Sequence, residues 1–418
     1  MEFLSILKTE NKNAKNYILA FFCWVGVSLL LGSFSGVIGA WLYSAVHKVA
    51  NIRNNYEFLI YFLPLFGVLT VLIYRLLGLN NQNTNTVFSE VQGKAKTSSK
   101  LLPAVFGSTL LTHLGGGSAG KEGAALQIGG SLAKIISKIF KLNEKATKIL
   151  LISGMAAVFS AAFGTPLTAA VFALTVIRVG KIYFSAILPT FLSSLSAYFV
   201  ARLLGVYPLS CEGGFSGLDL LENLKLLFII AASAVVGLIY VKALSFSKKF
   251  FKKLIKNEYN RILLGGVLIV VLSFVFGSEY LGDSMKLFYY ANYYDMINKE
   301  AFILKILFTA ITIGVGFKGG EIVPALVIGA TFGGALSAEL GFSIAVGAVY
   351  GAITLFCAAT KAPLASFVLA IEVFGFYNIP YYLIAVILAM LLSGKESLYS
   401  AQEYLIFRKK DNKEKKTV

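Results

Sequence analysis

Two glycine-rich interruptions of apolar sequence constrain this chain more than any other feature. The first, residues 115 to 123, reads Gly-Gly-Gly-Ser-Ala-Gly-Lys-Glu-Gly, and the second, residues 316 to 324, reads Gly-Phe-Lys-Gly-Gly-Glu-Ile-Val-Pro. Both hold a lysine and a glutamate, and ionisable groups at membrane depth are costly and usually functional. Gly120, Ala125, Leu126, Ile128 and Gly129 recur 200 positions later as Gly320, Ala325, Leu326, Ile328 and Gly329. A second segment, Pro166-Leu167 with Val171, Ala173 and Val176, recurs 197 positions later as Pro363-Leu364 with Val368, Ala370 and Val373. Two independent matches at nearly one offset make chance improbable and predict two structural halves. The expected partition is 1–215, 216–407 and a basic tail, 408–418.

A hydrophobic content of 57% against 14% charged residues, with a mean hydropathy of +0.75, excludes a soluble globule with a polar skin. The chain reads as an all-α polytopic membrane protein. A full crossing takes about 20 residues. The apolar stretches near 124, 148, 165 and 364 offer only about 13 to 17. They predict helices that enter, stop at glycine and re-pack where protein shields the irregular backbone.

The net charge of +17 is clustered. Seven Lys or Arg between 242 and 261, and six between 408 and 418, place both segments in the cytoplasm by the positive-inside rule. The acidic, tyrosine-rich loop 278–300 and the loop 205–220 then face outside. Both termini are expected to be cytoplasmic, in a plasma-type inner membrane, with no cleaved signal peptide. Basic residues beside apolar spans are explained by orientation and lipid headgroups, so no nucleic-acid partner is implied. Cys23, Cys211 and Cys357 are scattered and read as packing residues. His47 and His113 are isolated, and no metal spacing occurs. Without clustered Ser, His, Cys or Asp, a transporter is expected rather than an enzyme.

Repeats interrupted by glycine mark the substrate sites of secondary transporters, because each broken helix points its N-terminus at the midplane. Free N–H groups there favour anions. The first helix is expected to begin near Ala124, and Pro324 suits the first turn of the second.

These motifs together resemble the chloride-channel-type (CLC) family of anion channels and anion/proton exchangers. Gly-Lys-Glu-Gly at 120–123 is similar to its Gly-Arg-Glu-Gly-Pro motif, Gly319 to Pro324 to its Gly-Gly-x-x-x-Pro motif, and Ser397 to Ser400 to the segment of its central tyrosine. The resemblance covers about 19 to 405. It implies an inverted-repeat helical membrane fold with broken helices meeting at the midplane, a homodimer with one pathway per subunit, and no cofactor. The short tail is expected to leave no room for the cytoplasmic regulatory pair of some members.

By this resemblance Glu122 is a gate, competing with the anion when ionised and swinging out with a proton when not. The alternative is a glutamate merely pairing Lys121. Lys121 replaces the family arginine and offers a point charge rather than a fork, either supporting conduction or snorkelling. The inner acidic acceptor of chloride/proton exchangers is missing, since Thr175 and Val176 occupy its segment. Residues 316–321 instead match the Gly-Phe-Lys-Gly-Gly-Glu pattern of the fluoride/proton branch. That makes Glu321 the candidate second proton site, unless it caps its own helix, with Lys318 placed to influence its charge. Gly120, Gly123 and Val323 border the anion, Val323 standing where the branch often has threonine. Tyr399 is either the central tyrosine or an interfacial belt residue. The family's Gly-Ser-Gly-x-Pro loop is replaced by 82–91, where Asn85 and Thr86 offer polar contacts. Glu372 reads as structural, and Arg178 and Lys181 as headgroup anchors. The expected function is fluoride export in exchange for protons; the alternative is a chloride/proton exchanger or a passive chloride channel of the same fold.

Overall fold

The computed structural model describes residues 14–80, 82–211, 217, 219–294 and 297–405. The basic tail 408–418, Glu212, Asp295 and the boundary at 215/216 lie outside the described residues. Sixteen α-helices dominate those described. In chain order they are α1 (Ala14–Asn55), α2 (Leu63–Leu76), α3 (Thr84–Val91), α4 (Leu101–Leu114), α5 (Glu122–Ile139), α6 (Glu144–Phe163), α7 (Pro166–Thr175) and α8 (Ile187–Leu203). The chain continues with α9 (Leu220–Leu254), α10 (Glu258–Phe276), α11 (Met285–Tyr293), α12 (Ala301–Val315), α13 (Ile322–Glu339), α14 (Ile344–Thr360), α15 (Pro363–Phe374) and α16 (Ile379–Leu392).

The repeat is visible in the boundaries. Helices α5 and α6 start at 122 and 144, α13 and α14 at 322 and 344, and α7 and α15 each begin on a proline. The α5 and α6 backbones meet at Gly129 and Gly154, where no Cβ fits on either side, and the α13 and α14 backbones meet in the same way at Gly329 and Gly351. Small residues let apolar helices approach closely enough for dispersion to hold them where water drives nothing together. Phe199, Leu203 and Phe274 are among the large apolar side chains left on the outer surface, a face suited to hydrocarbon.

Among the described residues, seven helices are long and apolar enough to cross a membrane. The stretch near 148, expected to be short, is one of them: α6 has 20 residues. Its first turn is polar and therefore escapes an apolarity reading, but Asn143 caps it, accepting from Ala146 N–H at 2.9 Å. Most of α6 is buried inside the protein, and it stops at Gly164, whose φ of +76° suits glycine. Helices α7 and α15, with 10 and 12 residues, are short as expected. Glu372 on α15 explains part of their arrangement. Its two carboxylate oxygens accept from Leu167 N–H at 3.0 Å and Thr168 N–H at 2.8 Å, capping α7 from the other half.

Beyond α16 the chain turns back into the protein. A two-residue parallel strand pair, β1 (Arg178–Val179) with β2 (Glu403–Tyr404), anchors it, and Arg178 pairs with Glu403 rather than reaching for headgroups. Gln402 donates to Val176 O at 2.7 Å and Thr360 O at 3.0 Å, tying together the ends of α7 and α14.

Candidate functional site

The two glycine breaks run past each other antiparallel at the centre. Gly120 N–H donates to Gly320 O at 2.8 Å, and Gly320 N–H donates to Gly120 O at 2.7 Å. The crossing is tight: a Cβ on Gly123 would lie 2.8 Å from Gly319 O. Each break ends in a helix, α5 two residues earlier than expected, and both N-termini converge on this bridge.

Glu122, the first residue of α5, is 1% exposed and folds back onto the crossing. Its Oε1 accepts from Lys121 N–H at 3.1 Å, and its Oε2 from Val323 N–H at 3.3 Å. The carboxylate of one half thus lies at the helix N-terminus of the other, where dipole and N–H groups favour negative charge. A Cβ on Gly320 would come within 2.6 Å of that Oε2, so this close approach demands glycine. The N–H of Gly120 is spent on the bridge, and the residue supplies space rather than a donor.

The other sequence candidates divide between two sides. The Lys121 ammonium is buried over the Tyr43 ring, 4.3 Å from its centroid, and within electrostatic reach of Asp283. It forms no close ion pair with its neighbour's carboxylate, though the two charges interact. Glu321 turns to the opposite side, its Oε1 3.4 Å from Lys248 Nζ and its carbonyl accepting from Tyr240 OH at 2.9 Å. It makes no side-chain cap on α13. Lys318 does not join it, since its ammonium lies 4.1 Å from the Tyr74 ring centroid.

Glu321 opens into a cavity of about 320 Å³. Its walls include Lys248, Lys252, Arg261, Lys318, Tyr399, Asn85, Thr84 and Gln127. Four cations against one carboxylate make the approach electropositive. The cavity reaches Gly319 and Glu321 but stops short of Glu122. A neighbouring space of about 190 Å³ shares Arg261 and Lys318 with it.

Tyr399 is 4% exposed and packed against Phe88 and Phe172, ring centroids 5.0 and 6.4 Å away, so it is not a belt residue. Asn85 lines the cavity while its Oδ1 accepts from Ala401 N–H at 2.9 Å, fixing the tyrosine's loop. Thr86 is committed elsewhere: its hydroxyl accepts from Asn83 N–H in the α3 capping box.

Sequence reasoning missed Tyr240, Lys248, Gln127 and Asp283, which depend on pairings far apart in the chain. It also missed Lys305, fully buried on α12. A lone lysine inside the apolar run 301–317 was a readable signal, because an intramembrane charge is a functional hypothesis by default.

A family model described as voltage gated chloride channel matches residues 66–394. A chloride/fluoride channel protein of Pseudomonas syringae pv. tomato is 30% identical over 391 residues, 91% of this chain and 86% of its own. An H+/Cl− exchange transporter of Vibrio campbellii is 26% identical over 412 residues, 90% of this chain and 87% of its own. Among solved structures, the crystal structure of a CLC-type fluoride/proton antiporter matches with a TM-score of 0.88 at 31% identity, covering 92% of this chain and 98% of that one. A slow cyanobacterial Cl−/H+ antiporter matches with a TM-score of 0.76 at 20% identity, covering 88% and 94%, a likeness of fold alone.

Proposed function

This chain belongs to the voltage gated chloride channel family of membrane transporters, and we propose that it exports fluoride in exchange for protons as a homodimer in the plasma membrane. The observation that carries the reading is the position of Glu122. Its carboxylate takes N–H donors from both broken helices and occupies the place an anion would fill.

In this reading the electropositive cavity faces the cytoplasm, as its Lys248, Lys252 and Arg261 belong to the basic segment 242–261. An anion drawn in there meets Tyr399 at the cavity's inner wall. Protonation of Glu122 removes the charge that competes with the anion and frees the side chain to leave the N–H groups. Deprotonation on the other side returns it. Glu321, half-sheltered beside Lys248, is the second proton site on the cytoplasmic side. Lys121 supports the negative charge from the outer side, and Val323 contributes its N–H rather than its side chain. The fluoride assignment rests on the Gly-Phe-Lys-Gly-Gly-Glu sequence at 316–321, and the relative named as a fluoride/proton antiporter supports it.

The test is reconstitution of the purified protein in liposomes, with fluoride, chloride and pH electrodes recording together. Fluoride efflux accompanied by proton uptake is the expected result. Chloride efflux as fast as fluoride overturns the ion, and flux indifferent to pH overturns the coupling.

A further inference from the structure

The largest commitment of polar groups outside the crossing surrounds Lys305. This side chain is 0% exposed, inside an otherwise apolar helix. Its Nζ lies within hydrogen-bond distance of Gly282 O at 2.8 Å, Tyr280 O at 3.1 Å, Ser118 Oγ at 2.8 Å and Ser284 Oγ at 2.9 Å, so its three N–H groups are shared among four acceptors. Four oxygens thus converge on one nitrogen. The Ser284 hydroxyl donates its own hydrogen to Glu279 O at 2.8 Å, which leaves its oxygen free to accept. Two of the four acceptors are backbone carbonyls, a donor set that hard cations take as readily as an ammonium does. The distances exceed the roughly 2.3 to 2.6 Å at which Ca2+ is held. They fit a larger, singly charged ion. Asp283 and, more weakly, Glu122 supply nearby negative charge, against the opposing positive charge of Arg53.

The cage also has a mechanical position. Ser118 belongs to the first break itself, four residues before Glu122, whereas Tyr280, Gly282 and Ser284 belong to the loop between α10 and α11. Backbone bonds stitch the same two segments, from Ala119 N–H to Gly282 O at 3.1 Å and from Gly282 N–H to Gly116 O at 3.3 Å. The ammonium is the only one of these links that is charged and shared among four oxygens.

We propose that Lys305 is a tethered monovalent cation: its ammonium fills a four-oxygen cation site that clamps the 280–284 loop onto the segment preceding Glu122. Removing the side chain then leaves a site for a free monovalent ion. Lys305 acts through Ser118 and is a positioning residue, not one that touches the anion. The cation site stands on geometry alone and does not depend on which anion is carried.

The experiment uses the full-length protein carrying Lys305→Ala, in detergent and in liposomes, in choline, K+ or ethylammonium salts. Ethylammonium restores the missing head. In choline, the expected result is a lowered unfolding temperature and about a tenfold loss of transport, which a single charge-assisted hydrogen bond is enough to produce. K+ or ethylammonium raises the unfolding temperature in a concentration-dependent way, as any ligand selective for the folded state must. Lys305→Met, which keeps the stem and fills the cage with an apolar end, is destabilised and rescued by neither ion. A Lys305→Ala protein that behaves identically in all three salts, or cannot be recovered folded in any, overturns the proposal. A Lys305→Met protein as stable as the parent overturns it too. The unfolding readout separates this failure from any failure of the fluoride reading.

Discussion

Positions 121 and 321 are equivalent in the two halves, and their backbones are nearly superposable: φ −101°, ψ −10° at Lys121 and φ −97°, ψ −8° at Glu321. Each is the residue that introduces its broken helix. One is a lysine buried against Tyr43 on one side of the crossing, and the other a glutamate facing an electropositive cavity on the opposite side. The next position differs as well, with the ionisable Glu122 in the first half and Ile322 in the second. Duplication preserved the backbone that presents two helix N-termini, while the side chains at these two positions diverged. A symmetric pair of breaks would bind an anion equally from both faces. Directional coupling to protons needs the asymmetry that the side chains provide.

The sharpest way to break this comparison is to neutralise the one carboxylate that lies on both N-termini. Glu122→Gln keeps the shape and removes the ionisable group, so coupled anion and proton movement should fall at least ~100-fold, the scale of losing a positioned proton-transfer group. Electrodes in the liposome assay read this directly. Coupled flux within threefold of the parent would remove Glu122 from the mechanism. Glu321→Gln tests the other half of the asymmetry. Proton movement should drop about a hundredfold, the lower end for a positioned proton-transfer group, while the protein stays folded, and intact proton-coupled flux would leave the cavity glutamate without a role.

Steric changes probe the shared backbone instead of the differing side chains. In Gly320→Ala the new methyl would contact Glu122 Oε2 and the adjoining backbone. Overpacking at such a site costs about 1 to 3 kcal/mol, measurable as a lower thermal unfolding midpoint. A midpoint equal to the parent's would mean that the crossing is looser than the structure shows. The smallest effect lies outside the apolar helices, at the strand pair. There the hydrogen bond from Lys94, with Arg178 beside it, holds the Glu403 carboxyl below its ordinary range. A depressed carboxyl stabilises the folded state above its unfolded pKa, about 4.3, and that contribution is lost as pH falls through the lower folded value. Glu403→Gln should therefore flatten the loss of stability between about pH 5 and pH 3 relative to the parent. Parallel unfolding curves for the two proteins would show that the strand pair carries no such linkage.

The breaks were legible because glycine and charge have no cheap place in apolar sequence, and their recurrence exposed the internal repeat. Side-chain direction was not legible. Lys121 adjoins Glu122 in sequence yet turns to Tyr43, and Lys318 adjoins the second motif yet lies on Tyr74, leaving Lys248 from a distant helix to meet Glu321. Such pairings arise from tertiary packing, and local spacing holds no record of them. Tyr399 was expected near the anion from its context alone, whereas the carbonyls and amides that fix its loop, from Thr360 to Asn85, come from opposite ends of the chain. The start of α6 was misjudged for a simpler reason: a capped polar turn does not register as apolar.

The reciprocal pair of bonds between Gly120 and Gly320 acts like the axle of a wheel. An amide hydrogen bond in an apolar interior is worth about 4 to 6 kcal/mol against no partner at all. Prising the halves apart at this point would forfeit two of them with no water at hand to replace them. The crossing is therefore expected to be the part that moves least. A transport cycle that keeps these bonds would work by short strokes of a carboxylate and its neighbours around the crossing.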